Sequence, residues 1–246
     1  MHRFYPDPSL HEEKAEYLTK EDVRHALKVL RLQKGDRVEI ITGGCPWIAE
    51  ITDIQDQCVA LRKLEQLPST EPAIQITLYQ GLPKADKMEW IIQKSTELGA
   101  SCIVPVIMSR SVTRPAPEDR MRKAERWQRI AREAGKQSGR CVIPSVQYPV
   151  TLQDLLTTSI LSPVNIVPWE GAHDFGPLAF HRNHPTLQSL GILIGPEGGI
   201  SPEEMDLLTA AGFVPITLGK RILRTETAGP AVLSALMCLY GEMEQS

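Results

Sequence analysis

At 246 residues, 42% hydrophobic and 23% charged, the chain has ordinary globular proportions and enough material for one large domain or two smaller ones. A formal net charge of −3 excludes a general polyanion binder. No run approaches the roughly 20 apolar residues of a membrane span, and the opening MHRFYPDPSLHEEK has no apolar signal core, so it reads as mature protein.

The chain opens with short strands around one helix. TKEDVRHALKVLRLQKGD (residues 19–36) puts Val23, Leu27 and Leu30 on one helical face and ends in a Gly35-Asp36 turn. DRVEIITGG alternates as a strand and turns at Gly43-Gly44, WIAEITDI follows, and CVALRKLEQL supplies a third strand. PSTEPA (residues 68–73) has linker composition, which predicts a small β-rich domain over residues 1–72 and a second domain over residues 73–246. Beyond it, strand alternates with helix. AIQITLYQGL is strand-like, and ADKMEWIIQKSTELG is helical, with Met88, Ile91, Ile92 and Leu98 broadly on one face and Gly99 past its end. CIVPVIM reads as a buried strand, PEDRMRKAERWQRIAREAGKQSG as a helix, and VNIVPW, LGILIG and VPITLG as strands. A helix over AGPAVLSALMCLYGEM closes the chain, its stripe made by Val232, Leu233, Leu236, Met237 and Tyr240. This rhythm predicts an α/β domain with a mainly parallel sheet. The five cysteines are scattered and form no CxxC pair, so a reduced cytoplasmic protein with no zinc site is expected.

Two segments carry chemistry. ILIGPEGGISPEE (residues 192–204) is a strand running through a glycine-rich turn into a helix capped by Ser201, with Pro202 first and Glu204 third, a capping box. Ligands collect where strands end and helices begin in parallel sheets. Yet the loop has neither the lysine of a P-loop nor the order GxGxxG, and Glu197 at close range repels a phosphate. A neutral or cationic ligand such as S-adenosylmethionine fits better; the plainer alternative is a tight turn with a solvated glutamate. GKRILRTETAG (residues 219–229) is a second strand-end loop entering a helix near Thr225 or Thr227, both candidate caps. Two such loops can close a pocket that holds Arg221, Arg224 and Glu226 near it. Residues 110–140 hold ten Lys/Arg against four Asp/Glu, whereas residues 1–72 hold ten against thirteen, so the basic segment is a candidate dock for a phosphate backbone.

LIGPEGGISPEE and LGKRILRTETAGPAVLSAL together resemble the SPOUT methyltransferases, and within them the RsmE family, bacterial enzymes that methylate N3 of a uridine in 16S ribosomal RNA. GLPKADKMEWIIQKSTELGA, SRSV, ERWQRIAREAGKQSGR and HALKVLRLQKGD are similar to further blocks of that family. The resemblance implies a SPOUT-type α/β domain with a C-terminal trefoil knot, preceded by a small PUA-like, RNA-binding β-barrel. It also implies a homodimer, S-adenosyl-L-methionine as cofactor, and 16S ribosomal RNA of the small subunit as partner, with no metal and no membrane. Carried over by position, the cofactor-binding residues are Ile194, Gly195, Pro196, Glu197, Gly198 and Gly199 in the first loop, and Leu218, Gly219, Ile222, Leu223, Arg224, Thr227 and Ala228 in the second. Ile200 stands where an aromatic is usual, and TAGP replaces an alanine-richer helix start. Pro230 is expected in the first helical turn, where donors are unpaired anyway.

Methyl transfer to uracil N3 needs the imide proton removed, or cations that stabilise the anion as it forms. Arg221 and Arg224 suit the second role, and Glu226 or Glu197 the first. On the basic helix, Arg122, Arg126, Arg129 and Lys136 fall on one stripe with Glu133, apart from Trp127, Ile130, Ala131 and Ala134. With Arg110 and Arg140, and with Arg3, Arg24 and Arg31 in the first domain, they are the expected RNA contacts. A methyltransferase for another RNA base or ribose, and a non-catalytic RNA-binding assembly factor, remain alternatives; binding of S-adenosylmethionine discriminates the second.

Overall fold

Alternation of apolar and polar residues decides the first sheet. In β3 (Arg37–Thr42), Val38 and Ile40 are buried while Arg37 and Glu39 face outward, and β4 (Cys45–Gln55) buries Ala49 and Ile51 in the same way. The structure, a computed structural model, describes residues 2–6, 15–55 and 58–244. Of the opening stretch read as free of a signal core, residues 1 and 7–14 lie outside the described residues.

The chain falls into two units, Met1–Glu71 with Lys136–Val142, and Pro72–Gly135 with Ile143–Ser246. The boundary expected after residue 72 had left the segment at residues 136–142 with the second domain. In the first unit, β1 (Arg3–Phe4), β2 (Glu16–Tyr17), β3, β4 and β5 (Cys58–Gln66) form one sheet in the order β1-β3-β4-β5-β2, with β1 parallel to β3 and the other pairs antiparallel. Register shifts at Ile48/Ala49 and Ile51/Asp53 are bulges that bend β4 against β5. The single predicted helix is not uniform. α1 (Lys20–Arg24), capped by the Thr19 hydroxyl, passes into a π-helical turn, His25–Val29, in which Leu30 N–H donates to His25 O. The wider turn buries Ala26 beside Val23 and leaves Leu27 and Leu30 only half-buried.

The second unit holds β6 (Gln75–Gly81), β7 (Cys102–Ile107), β8 (Ser145–Val146), β9 (Val150–Thr151), β10 (Asn165–Pro168), β11 (Ser189–Ile194) and β12 (Phe213–Ile216) in a parallel sheet of order β12-β10-β11-β6-β7-β8, with β9 also paired to β7. Its central strands β6 (Gln75–Gly81), β7 (Cys102–Ile107) and β11 (Ser189–Ile194) read as near-continuous apolar runs because both faces are covered. Leu78, Ile192 and Ile194 pack in one core, Tyr79, Val104 and Leu193 in the other. Helix α7 (Thr225–Leu239) packs on α2 (Lys87–Glu97). From β6 the chain steps outward to β7 and β8 (Ser145–Val146), then returns through β10 (Asn165–Pro168) to β11, which lies beside β6. The C-terminal ends of β6 and β11 therefore flank the point where strand order reverses, the usual place for a ligand in such sheets.

Six short elements were not foreseen: β1 and β2 in the first unit, and β8, β9 (Val150–Thr151), α4 (Leu152–Thr157) and α5 (Pro177–Asn183) in the second. α4 carries a full capping box between Thr151 and Asp154, a signal present in TLQD. Among the described residues, no helix is long and apolar enough to cross a membrane, and no group of three or more His, Cys, Asp or Glu is placed to hold a metal ion. All five cysteines carry free thiols.

Candidate functional site

The first loop begins where β11 stops and α6 (Pro202–Ala210) starts. The Ser201 hydroxyl accepts from Glu204 N–H at 3.2 Å and Glu204 Oε2 accepts from Ser201 N–H at 3.1 Å, completing the expected capping box. Glu204 does more, because its other oxygen accepts from Ser109 N–H at 2.7 Å and so ties down the chain after β7. The loop closes on itself between Gly199 N–H and Pro196 O at 2.9 Å, with Gly199 in the left-handed region at φ 72°. At Gly198 a Cβ would lie 2.9 Å from the Cβ of Arg110, whose Nη1 donates to Gly198 O at 2.9 Å. Arg110, expected at an RNA surface, thus buttresses this loop.

The second loop leaves β12 (Phe213–Ile216) at the sheet edge and returns to its centre. Thr225 is the first residue of α7, not its cap; Arg224 occupies that position with extended backbone and no side-chain cap. The buried Thr225 hydroxyl donates to Gly195 O at 2.6 Å and accepts from Gln80 Nε2 at 2.9 Å, stitching α7, β11 and β6 together. A start at Thr225 is one of the two places expected, and it moves two residues from where they were expected. Thr227 lies in the first turn, exposed and off the cavity wall. Pro230 falls at the sixth helical position, where its missing N–H denies Glu226 O its usual partner.

Between the loops lies a cavity of about 810 Å³, in the range of small-molecule sites. Every cofactor residue expected from sequence lines it except Thr227, and so does Arg221. Trp169, His173 and Lys87 line it as well and were missed. Trp169 and His173 follow β10, a strand-end segment with a lone Gly171 and no glycine-rich run. Lys87 had one signal, a cation at the first position of a helix, where the macrodipole disfavours it unless carboxylates are near.

Arg221 and Arg224 are exposed at the cavity, whereas Glu226 and Glu197 are already engaged. Lys87 Nζ lies 3.1 Å from Glu226 and 3.0 Å from Glu197. Burial pushes the Glu226 carboxyl up, but its own backbone N–H, Lys87 and Arg224 more than offset this, leaving it below the ordinary 4.5. Glu197 behaves alike: burial raises it, while its own backbone N–H, Lys87 and the Lys84 N–H lower it further. With its charge met by Lys87, Glu197 says less about the ligand's charge than the bare loop suggested.

The expected RNA contacts divide by environment. Arg24, Arg31, Arg122, Arg126 and Arg129 are exposed; Arg122 pairs with Asp119 at 2.9 Å and Arg126 with Glu89. The apolar face of α3 (Pro117–Ser138) is where the period placed it, with Trp127, Ala131 and Ala134 buried. Arg3 is tied to Glu39 at 2.7 Å, and Lys136 lies 3.7 Å from Asp22. Arg140 departs from expectation. It is 5% exposed, and its Nε and Nη2 donate to Glu71 at 3.0 and 2.6 Å, so a surface contact has no free group there to rest on.

A sequence model of the RNA methyltransferase domain matches residues 70–237, and one of the RNA methyltransferase PUA domain matches residues 18–62. A ribosomal RNA small subunit methyltransferase E of Bacillus subtilis (strain 168) is 36% identical over 225 residues, covering 89% of this chain and 88% of its own length. One of Aquifex aeolicus (strain VF5) is 32% identical over 217 residues, covering 88% and 91%. The crystal structure of a ribosomal RNA small subunit methyltransferase E from Neisseria gonorrhoeae bound to S-adenosyl methionine matches with a TM-score of 0.80 at 31% identity over 98% of each chain.

Proposed function

The chain belongs to the RNA methyltransferase family that includes the ribosomal RNA small subunit methyltransferase E proteins, and from that we propose that it methylates N3 of a uridine in 16S ribosomal RNA with S-adenosylmethionine as donor. The observation that carries this reading is the cavity between two strand-end loops, closed at its base by the Thr225 hydroxyl bridging Gly195 and Gln80. Its lining fits the donor. Ile194, Leu218, Leu223 and Ala228 offer an apolar wall, and Gly195, Gly198 and Gly199 let the backbone approach closely. Bound there, S-adenosylmethionine supplies an electrophilic methyl group on a sulfonium, and the protein's own task is to hold both reactants in line and keep water out.

The proton on N3 is the remaining difficulty. A general base works best with a pKa near the operating pH. Glu226 and Glu197 sit below the ordinary carboxylate value and are paired with Lys87, which makes them poor bases. Arg221 and Arg224 suit the other route, stabilising the uracil anion as it forms. Alanine at Arg224 or Arg221 is therefore expected to lower kcat on the order of a hundredfold while donor affinity changes much less. Single-turnover assays with separate donor titrations measure this; full turnover in both variants refutes the assignment.

The same reading takes the exposed Arg24, Arg31, Arg122, Arg126 and Arg129 as contacts to the RNA backbone, and includes a homodimer in the cytoplasm. The trefoil knot belongs to it too. In its support, the chain leaves β12 at the sheet edge and brings Thr225 back to β11 and β6. The deciding experiment is mass spectrometry of 16S RNA nucleosides from cells with and without the gene. Loss of 3-methyluridine on deletion is expected, and its persistence overturns the proposal.

A further inference from the structure

Lys87, at the start of α2, reaches both cavity loops. Its Nζ lies 3.0 Å from Glu197 Oε1, on the β11–α6 loop, and 3.1 Å from Glu226 Oε2, in the first turn of α7. Glu197 accepts in addition from Lys84 N–H at 3.1 and 3.3 Å. Between the two lysines stands Ala85 at φ 54°, a left-handed backbone that a non-glycine residue keeps only where its surroundings hold it. Three segments thus meet at one ammonium, α2, the first cavity loop and the helix that ends the second, while the β6–α2 loop holds the same Glu197 through Lys84 N–H.

We infer that Lys87 is a positioning residue of the pocket, fastening the glycine-rich loop to the start of α7 and so setting the width of the cleft where donor and target base meet. The inference rests on the methyl-donor reading above. An isolated pair this exposed is worth little, but here one cation serves two anions from different segments. Without it, two carboxylates beside one cavity lose their shared partner and repel. Lys87 is held above its ordinary 10.5 by its hydrogen bonds to Glu197 and then Glu226, and both glutamates lie below 4.5. The charged clasp is therefore complete between those values. It is lost as pH falls through the lowered glutamate values or rises through the raised lysine value. Arg224 also favours ionised Glu226.

Calorimetric titration of the full-length protein with S-adenosylmethionine, repeated from roughly pH 3 to 9 so as to run from below the ordinary carboxylate range to well above it, tests the clasp. Lys87→Met is expected to weaken binding about tenfold near neutral pH and to lose the wild-type acid limb, because protonating two carboxylates that share no cation relieves their repulsion. Lys87→Arg should recover most of the affinity, and adding Glu226→Gln to Lys87→Met should cost little more, because the pair acts as a unit. Unchanged affinity in Lys87→Met overturns the clasp. So does a loss that tracks a fallen Tm, keeps the wild-type pH profile and is not recovered by Lys87→Arg. A wild-type protein that binds no S-adenosylmethionine at any pH overturns the methyl-donor reading itself, and the clasp with it.

Discussion

Gly81→Ala is expected to destabilise the second unit by about 3 kcal/mol and to lower methyl transfer about a hundredfold. Gly81 ends β6, where it pairs with Val106 of β7. A Cβ added there would lie 2.7 Å from both the N and Cδ of Pro196 and 2.9 Å from the carbonyl carbon of Gly195. Two of those atoms are backbone and the third belongs to a proline ring, so no rotamer change relieves the contact. The strand cannot yield either, since the next residue, Leu82, donates its N–H to Val106 O at 2.8 Å. What moves is the glycine-rich loop. Overpacking of this kind costs about 1–3 kcal/mol, and rigid neighbours place Gly81 at the upper end. A displacement near 1 Å at a reacting centre is worth roughly two orders of magnitude in rate. Gly176→Ala is the control: its Cβ would meet Thr217 O at 3.2 Å and Thr217 Cγ2 at 3.7 Å, at extended φ, so a change of no more than about 1 kcal/mol is expected. Thermal unfolding with donor titration and turnover on both variants gives the comparison. Wild-type donor affinity in Gly81→Ala means the loop is not held by this contact.

The same glycine shows what a sequence conceals. Nothing local distinguishes Gly81 from any strand-end glycine, because its constraint comes from Pro196, more than a hundred residues away. Period-three and period-two patterns were legible wherever an element was long. The buried stripe of α3 stands where the helical period placed it, and β6, β7 and β11 stand where near-continuous apolar runs marked strands. The Ser201 box was legible because a cap is local chemistry. The start of α7 was read near its place, but its cap was not: Thr225 looks like a cap, yet Gln80 and Gly195 claim its hydroxyl, and tertiary hydrogen bonds override the local preference. Lys87 escaped for the same reason, since both of its partners come from other segments. In the candidate site the loops were readable, and the contacts that set their spacing were not.

Those long-range contacts also decide the second prediction, at Glu71 and Arg140 in the first unit. Glu71 Oε1 accepts from Cys141 N–H at 2.6 Å and Val142 N–H at 3.0 Å, while Arg140 donates to the same carboxylate through Nε at 3.0 Å and Nη2 at 2.6 Å. The side chains of Arg140 and Glu71 are 6% and 14% exposed. Arg140 O in turn accepts from Tyr5 O–H at 2.7 Å, and burial, the largest influence on it, pushes the Tyr5 hydroxyl up to about 12. Removing one partner of a buried pair costs about 3–5 kcal/mol, a large part of the usual 5–15 kcal/mol of a whole domain. Glu71→Ala should cost more than Arg140→Met, because the carboxylate serves two backbone donors as well as the guanidinium. Glu71→Gln should fall between them and wild type, keeping one carbonyl acceptor but losing the charge. Limited proteolysis mapped to residues 15–71, with thermal unfolding, measures the order. If the basic segment instead held Arg140 as a surface contact, Arg140→Met would leave protease resistance unchanged and weaken only RNA binding, with a smaller salt slope. The burial of the pair predicts the opposite order: the fold of the first unit loosens first, and RNA affinity follows it.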